Sequence, residues 1–309
     1  MKNKKDKVYG VLFGGAVGDA LGLGAEFMTK EEVIRHYPDG LNSYEQIIQD
    51  KHRLRWQIGD WTDDTDQMLC IAKAIIKDKK ICQTTVAQQF YAWFKDRPMG
   101  IGRHTFNVFS LPEYTKYPEK AANLIWKLSS YKSASNGAAM RTAIVGLLDN
   151  TIKNAEDICK LTHPDPRCIG SCVIISLLIN RVINGQSLTV DEMMSIGERY
   201  DERIKEYIQL ALNTDISLLQ LDESGKIGYT LKTLSVGLWA YFHCDDFASG
   251  LKAVVNEGGD ADTNATVACS ILGAKYGYSS IPKIYIDKLL GKEGLYVIAN
   301  ELINIIEKR

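Results

Sequence analysis

Strand-like alternation of polar and apolar residues is nearly absent from this 309-residue sequence. Paired cysteines, blocks of like charge and low-complexity linkers are missing too. Each absence narrows the reading. Without a two-residue period, the apolar residues have to be buried through helices. The seven cysteines (Cys70, Cys82, Cys159, Cys168, Cys172, Cys244 and Cys269) form no CxxC pair and are odd in number. That argues against a disulfide framework or structural zinc and suits reduced thiols in a cytoplasmic chain. Lys+Arg at 37 nearly balance Asp+Glu at 38, so no overall field draws in a polyanion. Direct nucleic-acid binding is not expected, and phosphate recognition has to be local. No linker or fixed-period repeat divides residues 1–309, which read as one domain.

Long membrane-spanning runs are also lacking. The opening MKNKKDK followed by VYGVLFGGAVG imitates a secretory signal, but Asp19 and Glu26 interrupt it. The longest apolar run elsewhere, around Cys172 to Ile179, falls short of the ~20 residues that a bilayer requires. No membrane partner is expected.

What is present is helical spacing: Val8, Leu12, Ala16 and Ala20; Met68, Ala72 and Ile75; Leu231, Leu234, Leu238 and Tyr241. Turn clusters such as Tyr37-Pro38-Asp39-Gly40 and His163-Pro164-Asp165-Pro166 separate these stretches. The fold class is therefore all-α. Small residues at Gly14, Gly15 and Gly18 on the first helix, with Ala265, Ala268 and Gly273 on a late one, suit close backbone approach.

Chemistry concentrates in two acidic blocks at separate helix starts. Trp61-Thr62-Asp63-Asp64-Thr65-Asp66 places three carboxylates and two hydroxyls together. One or two such groups would serve as helix caps. Five oxygen-bearing side chains in a row repel one another without a cation, and oxygen ligands suit magnesium. Gly258-Gly259-Asp260-Ala261-Asp262-Thr263 repeats the pattern, with a glycine pair free to take an unusual backbone. Together the two blocks could hold a pair of ions about 3.5–4 Å apart.

Other segments read less sharply. Asp19 suits a hydrogen-bonding role, whereas Glu26, near the end of a glycine-rich stretch, could face a cavity, ligate a metal or form an ion pair. Ser135 and Asn136 either cap the following helix or donate to ribose and phosphate; Arg141 is either paired or a phosphate donor. His163 sits in a distinctive loop, and Tyr229 offers a ring for stacking or packing.

Taken together, the blocks GGAVGDALGLGAEF, WTDDTDQM, SNGAAMR, THPDP, GYTLKTLSVGLWA and GGDADTNATVACSILGAKYG resemble the ADP-ribosylglycohydrolase family, from about Val8 to Gly277. The first, second and last blocks are specific. The resemblance implies a single-domain orthogonal helical bundle with two Mg2+ (or Mn2+) ions in a central cleft. By position it implies Thr62, Asp63, Asp64, Asp260, Asp262 and Thr263 as metal ligands and Glu26 as an active-site glutamate, acting with Asp63 and Asp262. Asn136, His163 and Tyr229 match ADP-ribose contacts, and Gly137, Met140, Arg141, Gly258 and Gly259 from the same blocks are placed with them. One departure is Ile144, where the family often carries a proline.

The implied reaction is hydrolysis of the glycosidic bond at the distal ribose. The GGDADT block favours ADP-ribosylated arginine on a protein as substrate, with ADP-ribosylserine or small ADP-ribosyl esters behind it. A magnesium phosphohydrolase and a non-catalytic ADP-ribose-binding relative compete. The second predicts eroded ligands, yet every matched ligand is present. A monomer is the default.

Overall fold

The computed structural model describes residues 2–307. Its α-helices are α1 (Lys2–Gly22), α2 (Lys30–His36), α3 (Asp63–Asp78), α4 (Gln83–Lys95), α5 (Arg103–Phe109), α6 (Pro118–Leu128), α7 (Thr151–Lys160) and α8 (Pro166–Ile183). They continue as α9 (Val190–Tyr200), α10 (Arg203–Leu210), α11 (Thr230–His243), α12 (Phe247–Val255), α13 (Ala261–Tyr276), α14 (Lys283–Lys288) and α15 (Lys292–Ile306). Among the described residues no strand forms. An isolated antiparallel bridge joins Ser135 to Tyr229.

The axis of the bundle is the antiparallel pair α1 and α13. Gly10, Gly14, Gly18 and Gly22 recur every fourth residue, and so lie on one face of α1. They meet the backbone of Gly273, Cys269, Ala265 and Ala261 in turn. A Cβ on Gly18 would stand 2.3 Å from the Ala265 carbonyl oxygen, and one on Gly10 would stand 2.2 Å from that of Gly273. Only glycine allows this approach. Gly15, by contrast, faces the Ser270 side chain, on the neighbouring flank.

Because the pair is antiparallel, the C-terminal end of α1 arrives beside the N-terminus of α13. The first brings Asp19 and leads into Glu26, and the second brings Asp260, Asp262 and Thr263. The start of α3 completes the junction. Its first turn carries Asp63, Asp64 and Asp66, and its N-cap Thr62 makes no capping bond of its own. Asp19 caps it instead, across the interface.

Two helical stretches are long and apolar enough to cross a membrane by length and composition, Asn3–Ala25 and Pro166–Ile183. Their most apolar windows are 94% and 78% buried in the fold. This corrects the reading of the second as too short: the apolar periodicity of α8 extends past Ile179. Both helices put their apolar content into the core.

Local capping sets where α8 begins. Pro166 occupies its first turn, where a missing N–H costs nothing, and the Asp165 side chain accepts from the Arg167 amide. Asp165 also pairs with the Arg167 guanidinium at 2.6 Å. Ile144, where a proline was the family expectation, lies fully buried in the 3-10 turn Ala143–Leu147.

Candidate active site

A cleft of about 250 Å3 opens at the junction of α1, α3 and α13. Its floor is built from Thr62, Asp63, Asp64, Asp260, Asp262 and Thr263, with Glu26 at one side. The two acidic blocks, nearly two hundred residues apart in sequence, thus converge.

Asp19 organises the floor. Its carboxylate accepts the Thr62 amide and hydroxyl at 2.9 and 2.8 Å, and the Thr65 amide and hydroxyl at 2.9 and 2.6 Å. Thr62 has one hydroxyl proton. Committed to Asp19, it leaves Thr62 Oγ1 facing Asp64 Oδ2 at 3.3 Å and Asp262 Oδ2 at 3.5 Å with lone pairs alone. Asp64 Oδ1 is buried without a hydrogen-bond partner. An orphaned buried carboxylate oxygen among converging lone pairs needs a proton or a cation.

Two sets of three carboxylates lie with one oxygen from each within 4.8 Å of the others: Asp19, Asp64 and Asp262, and Glu26, Asp260 and Asp262. Asp262 belongs to both. Asp63 belongs to neither; its Oδ2 accepts from Gln67 at 3.0 Å. The donor set, all carboxylate with the Thr62 and Thr263 hydroxyls adjoining, fits a hard divalent cation.

The electrostatics agree with that fit. Burial raises Asp19 to about 6 against its hydrogen bonds with Thr65 and Thr62. Burial, reinforced by Glu26, raises Asp260 to about 6, while the Asn136 amide opposes the shift. Burial and then the charges of Asp19, Glu26 and Asp260 lift Asp63 to about 8. Asp64 and Asp262 are pushed well above the usual carboxylate range, first by burial and then by neighbouring carboxylates. Uncompensated negative charge is thus what the floor resists.

Glu26 has a partner that the sequence reading missed. Its Oε2 lies 2.6 Å from His52 Nε2, and Arg55 Nη2 lies 2.5 Å from His52 Nδ1. A guanidinium can only donate, so Nδ1 is the acceptor and Nε2 carries the proton that is given to Glu26. The available signal was the basic run Lys51-His52-Arg53-Leu54-Arg55, a few residues before the acidic block.

On the other wall, Asn136 lines the cleft and donates to Asp260 Oδ2 at 2.7 Å and to Thr233 Oγ1 at 2.9 Å. Gly137 and Met140 line the cleft beside it. Arg141 does not. It is fully buried, with its guanidinium over the Phe90 ring at 4.3 Å and hydrogen-bonded to Gln67 and Thr162. The expectation of a direct ligand contact from Arg141 is corrected on that ground: its guanidinium is buried and held inside the fold by Gln67, Thr162 and the Phe90 ring, away from the cleft.

His163 is also set back, buried behind Gly137 and Ser135. Thr162 Oγ1 accepts from Arg141, so its own proton goes to His163 Nδ1 at 2.6 Å. Nε2 then donates to Ser135 Oγ at 3.0 Å. Burial, with His104 and Arg141 nearby, holds His163 well below the ordinary histidine range, hence neutral. The chain Arg141–Thr162–His163–Ser135 fixes Ser135 as an acceptor toward the protein and frees its own proton for the cleft.

Tyr229 stands outside the cleft proper, in an adjoining depression shared with Ser135 and Arg167. Its ring packs edge-on against Tyr207 at 5.6 Å. Gly258 and Gly259 do not line the cleft either. They take left-handed φ of 71° and 69°. A Cβ would strike the Met28 carbonyl oxygen at 2.4 Å or that of Leu221 at 2.2 Å. Their expected ligand contact is corrected to a backbone role: the double left-handed turn aims Asp260 and Asp262 at the floor.

A profile of the ADP-ribosylglycohydrolase family matches residues 1–309. The chain belongs to that family. Its members hydrolyse ADP-ribose linkages. The chain is 28% identical to an ADP-ribosylarginine hydrolase of Serratia proteamaculans, over 96% of this chain and 79% of that protein. It is 27% identical to an ADP-ribosyl-dinitrogen-reductase glycohydrolase of Rhodospirillum rubrum, over 92% of this chain and 90% of that protein. A solved structure described as an ADP-ribosylglycohydrolase-related protein complex superposes with a TM-score of 0.79 over 99% of this chain and all of that one, at 23% identity. That likeness establishes the all-α fold. As a family member, the chain is an ADP-ribosyl hydrolase with a carboxylate cluster able to hold metal.

Proposed function

We propose that the chain is a magnesium-dependent hydrolase that removes ADP-ribose from arginine side chains of modified proteins, using two Mg2+ ions, with Mn2+ as a substitute. The observation that carries this reading is the pair of carboxylate sets sharing Asp262, with Asp64 Oδ1 of the first set buried and orphaned. The arginine acceptor is supported by the relative whose name specifies ADP-ribosylarginine, with the dinitrogen-reductase glycohydrolase pointing to a modified protein as substrate.

In this reading Asp64 and Asp262, with the Thr62 hydroxyl that Asp19 orients, would hold one cation, and Asp260 and Asp262, with the Thr263 hydroxyl adjoining, the other, while Glu26 stands beside the second. Bound divalent cations would supply positive charge for the distal ribose hydroxyls and would acidify the attacking water. Asn136 holds Asp260 in place, and Asp63 faces the cleft as a carboxylate for developing oxocarbenium charge. With Glu26 Oε2 bound to His52, Oε1 is the oxygen placed to accept a proton from the attacking water. Water adds to the anomeric carbon as the bond to the arginine nitrogen breaks, and the departing guanidine keeps the electron pair and gains a proton.

The cleft is smaller than the roughly 300–1,000 Å3 of pockets that enclose a whole drug-sized ligand. It therefore takes the distal ribose end, while the rest of ADP-ribose follows the neutral wall past Gly137, Met140 and Ser135, within reach of Tyr229. We place the enzyme in the cytoplasm, acting as a single-domain monomer without nucleic acid or membrane.

The test is release of ADP-ribose from an ADP-ribosylarginine peptide, with magnesium or with EDTA, by wild type and an Asp63→Ala, Asp260→Ala double variant. Magnesium-dependent release lost in the variant supports the proposal. A folded, metal-binding protein that releases nothing from arginine but acts on serine- or ester-linked ADP-ribose would move the acceptor assignment.

A further inference from the structure

A bulky residue in the left-handed region of the backbone is an outlier and points to a constrained role. Phe27 takes φ 61° directly after Glu26. Two backbone bonds lock it there: Phe27 N–H donates to the Gly259 carbonyl at 2.6 Å, and Gly259 N–H donates to the Met28 carbonyl at 2.8 Å. The conformation does not serve the core. Glu26 and Met28 are buried on either side, while Phe27 is 57% exposed on the lip of the cleft.

Two more rings complete that lip, and both are engaged. Trp56 is buried and carries the Arg55 guanidinium over its face at 4.4 Å. His52, whose ring lies 5.3 Å from that of Phe27, is bonded through both nitrogens to Glu26 and Arg55. Arg55 itself is spent on His52 and the Met99 carbonyl. Phe27 is the lip ring left with an open face.

The direction of the ligand follows from the neighbouring depressions. They continue the cleft past Ser135 and Gly102, and none of Phe27, His52 or Trp56 lines them. With the ADP portion running that way, the acceptor leaves toward Phe27.

We propose that Phe27 determines acceptor specificity by stacking its exposed face on the planar guanidinium of the ADP-ribosylated arginine. This rests on the arginine reading above. A guanidinium is weakly hydrated, delocalised and favoured over an aromatic face, whereas a serine oxygen or an ester presents no such plane.

Phe27→Gly removes the ring and relieves the left-handed backbone, so the variant keeps its fold. Phe27→Tyr keeps the ring. Both are compared with wild type for kcat and KM on an ADP-ribosylarginine peptide and for Kd of free ADP-ribose by calorimetry. We expect Phe27→Gly to lose about fivefold in kcat/KM, ~1 kcal/mol, carried by KM. Phe27→Tyr should match wild type, and ADP-ribose Kd should not move. Unchanged kcat/KM in Phe27→Gly, or an equal loss of ADP-ribose affinity, overturns the proposal while leaving the arginine reading standing. A wild type that binds ADP-ribose but does not cleave the arginine substrate overturns the arginine reading and this one with it.

Discussion

Asp19 Oδ2 accepts both the amide and the hydroxyl of Thr65, at 2.9 and 2.6 Å, and so a carboxylate on α1 caps the first turn of α3. A helix is thereby tied to its neighbour at the point where ligands are needed, and the orientation of Thr62 follows. Asparagine at this position presents an amide nitrogen to two donors. Asp19→Asn should cost about 2–4 kcal/mol, the penalty of unsatisfied buried donors. Urea unfolding in saturating magnesium measures this, and a variant as stable as wild type would rule out the capping role.

The raised carboxylates make stability depend on pH in a definite direction. Asp19 and Asp260 sit at about 6 and Asp63 at about 8 in the fold, against 3.8 when exposed. The folded state therefore binds protons that the unfolded state releases, and stability falls as pH rises. The metal-free protein should lose thermal stability between about pH 5 and pH 8. Magnesium should offset that loss, so its stabilising effect grows with pH. A Tm in EDTA that rises or stays flat from pH 5 to 8 would contradict the charge assignment.

Sharing of Asp262 between the two carboxylate sets predicts unequal consequences of removing one ligand. Mn2+ titration followed calorimetrically should show two binding events in wild type, one in Asp260→Ala and neither at comparable affinity in Asp262→Ala. Without metal the order of stability inverts, because Asp262→Asn removes a buried charge from a repelling cluster. Its Tm in EDTA should exceed that of wild type. Equal stoichiometry in Asp260→Ala and Asp262→Ala would defeat the shared-ligand arrangement.

Much of this was legible in the sequence, and what was not has identifiable reasons. The helical period and the glycine spacing of α1 reach far along the chain, so the all-α class follows from the residues themselves. The acidic blocks announced a cation because consecutive carboxylates repel wherever they lie. Long-range partners were not legible. Nothing in the sequence says that His52, rather than His163, meets Glu26, since the contact is made by a loop folding back across the lip. Arg141 reads as either paired or a phosphate donor, and only the fold decides, since Gln67, Thr162 and the Phe90 ring hold its guanidinium inside the core. Gly258 and Gly259 were correctly read as needing an unusual backbone, but the carbonyls crowding them, those of Met28 and Leu221, come from distant segments.

Those glycines supply a sharp test of backbone against contact. At Gly259 a Cβ meets the Leu221 carbonyl oxygen at 2.2 Å with φ at 69°, whereas at Gly185, with φ at 73°, nothing lies within 4 Å. Gly185→Ala should cost about 1 kcal/mol, from the left-handed conformation alone. Gly259→Ala adds the clash and should cost ~3 kcal/mol or more, displacing Asp260 and weakening metal binding. Comparable losses in the two variants would mean that conformation, and not close approach, sets the requirement at Gly259.

The His52–Glu26 contact separates positioning from fold. His52 is bonded through both nitrogens, and its proton on Nε2 holds one oxygen of Glu26, a residue that lines the cleft, and leaves the other outside that bond. His52→Ala frees the carboxylate to rotate without removing a proposed ligand of the first carboxylate set. The expected result is a fall in kcat of about tenfold, a typical effect of losing a group that orients an active-site residue, with KM changed less than twofold. His52→Gln, whose amide can donate in place of Nε2–H, should recover part of the loss, and His52→Leu should not. Steady-state kinetics of the three variants on one ADP-ribosylarginine peptide decide the matter. If His52→Leu is as active as wild type, the held oxygen is irrelevant to the chemistry and Glu26 acts unaided.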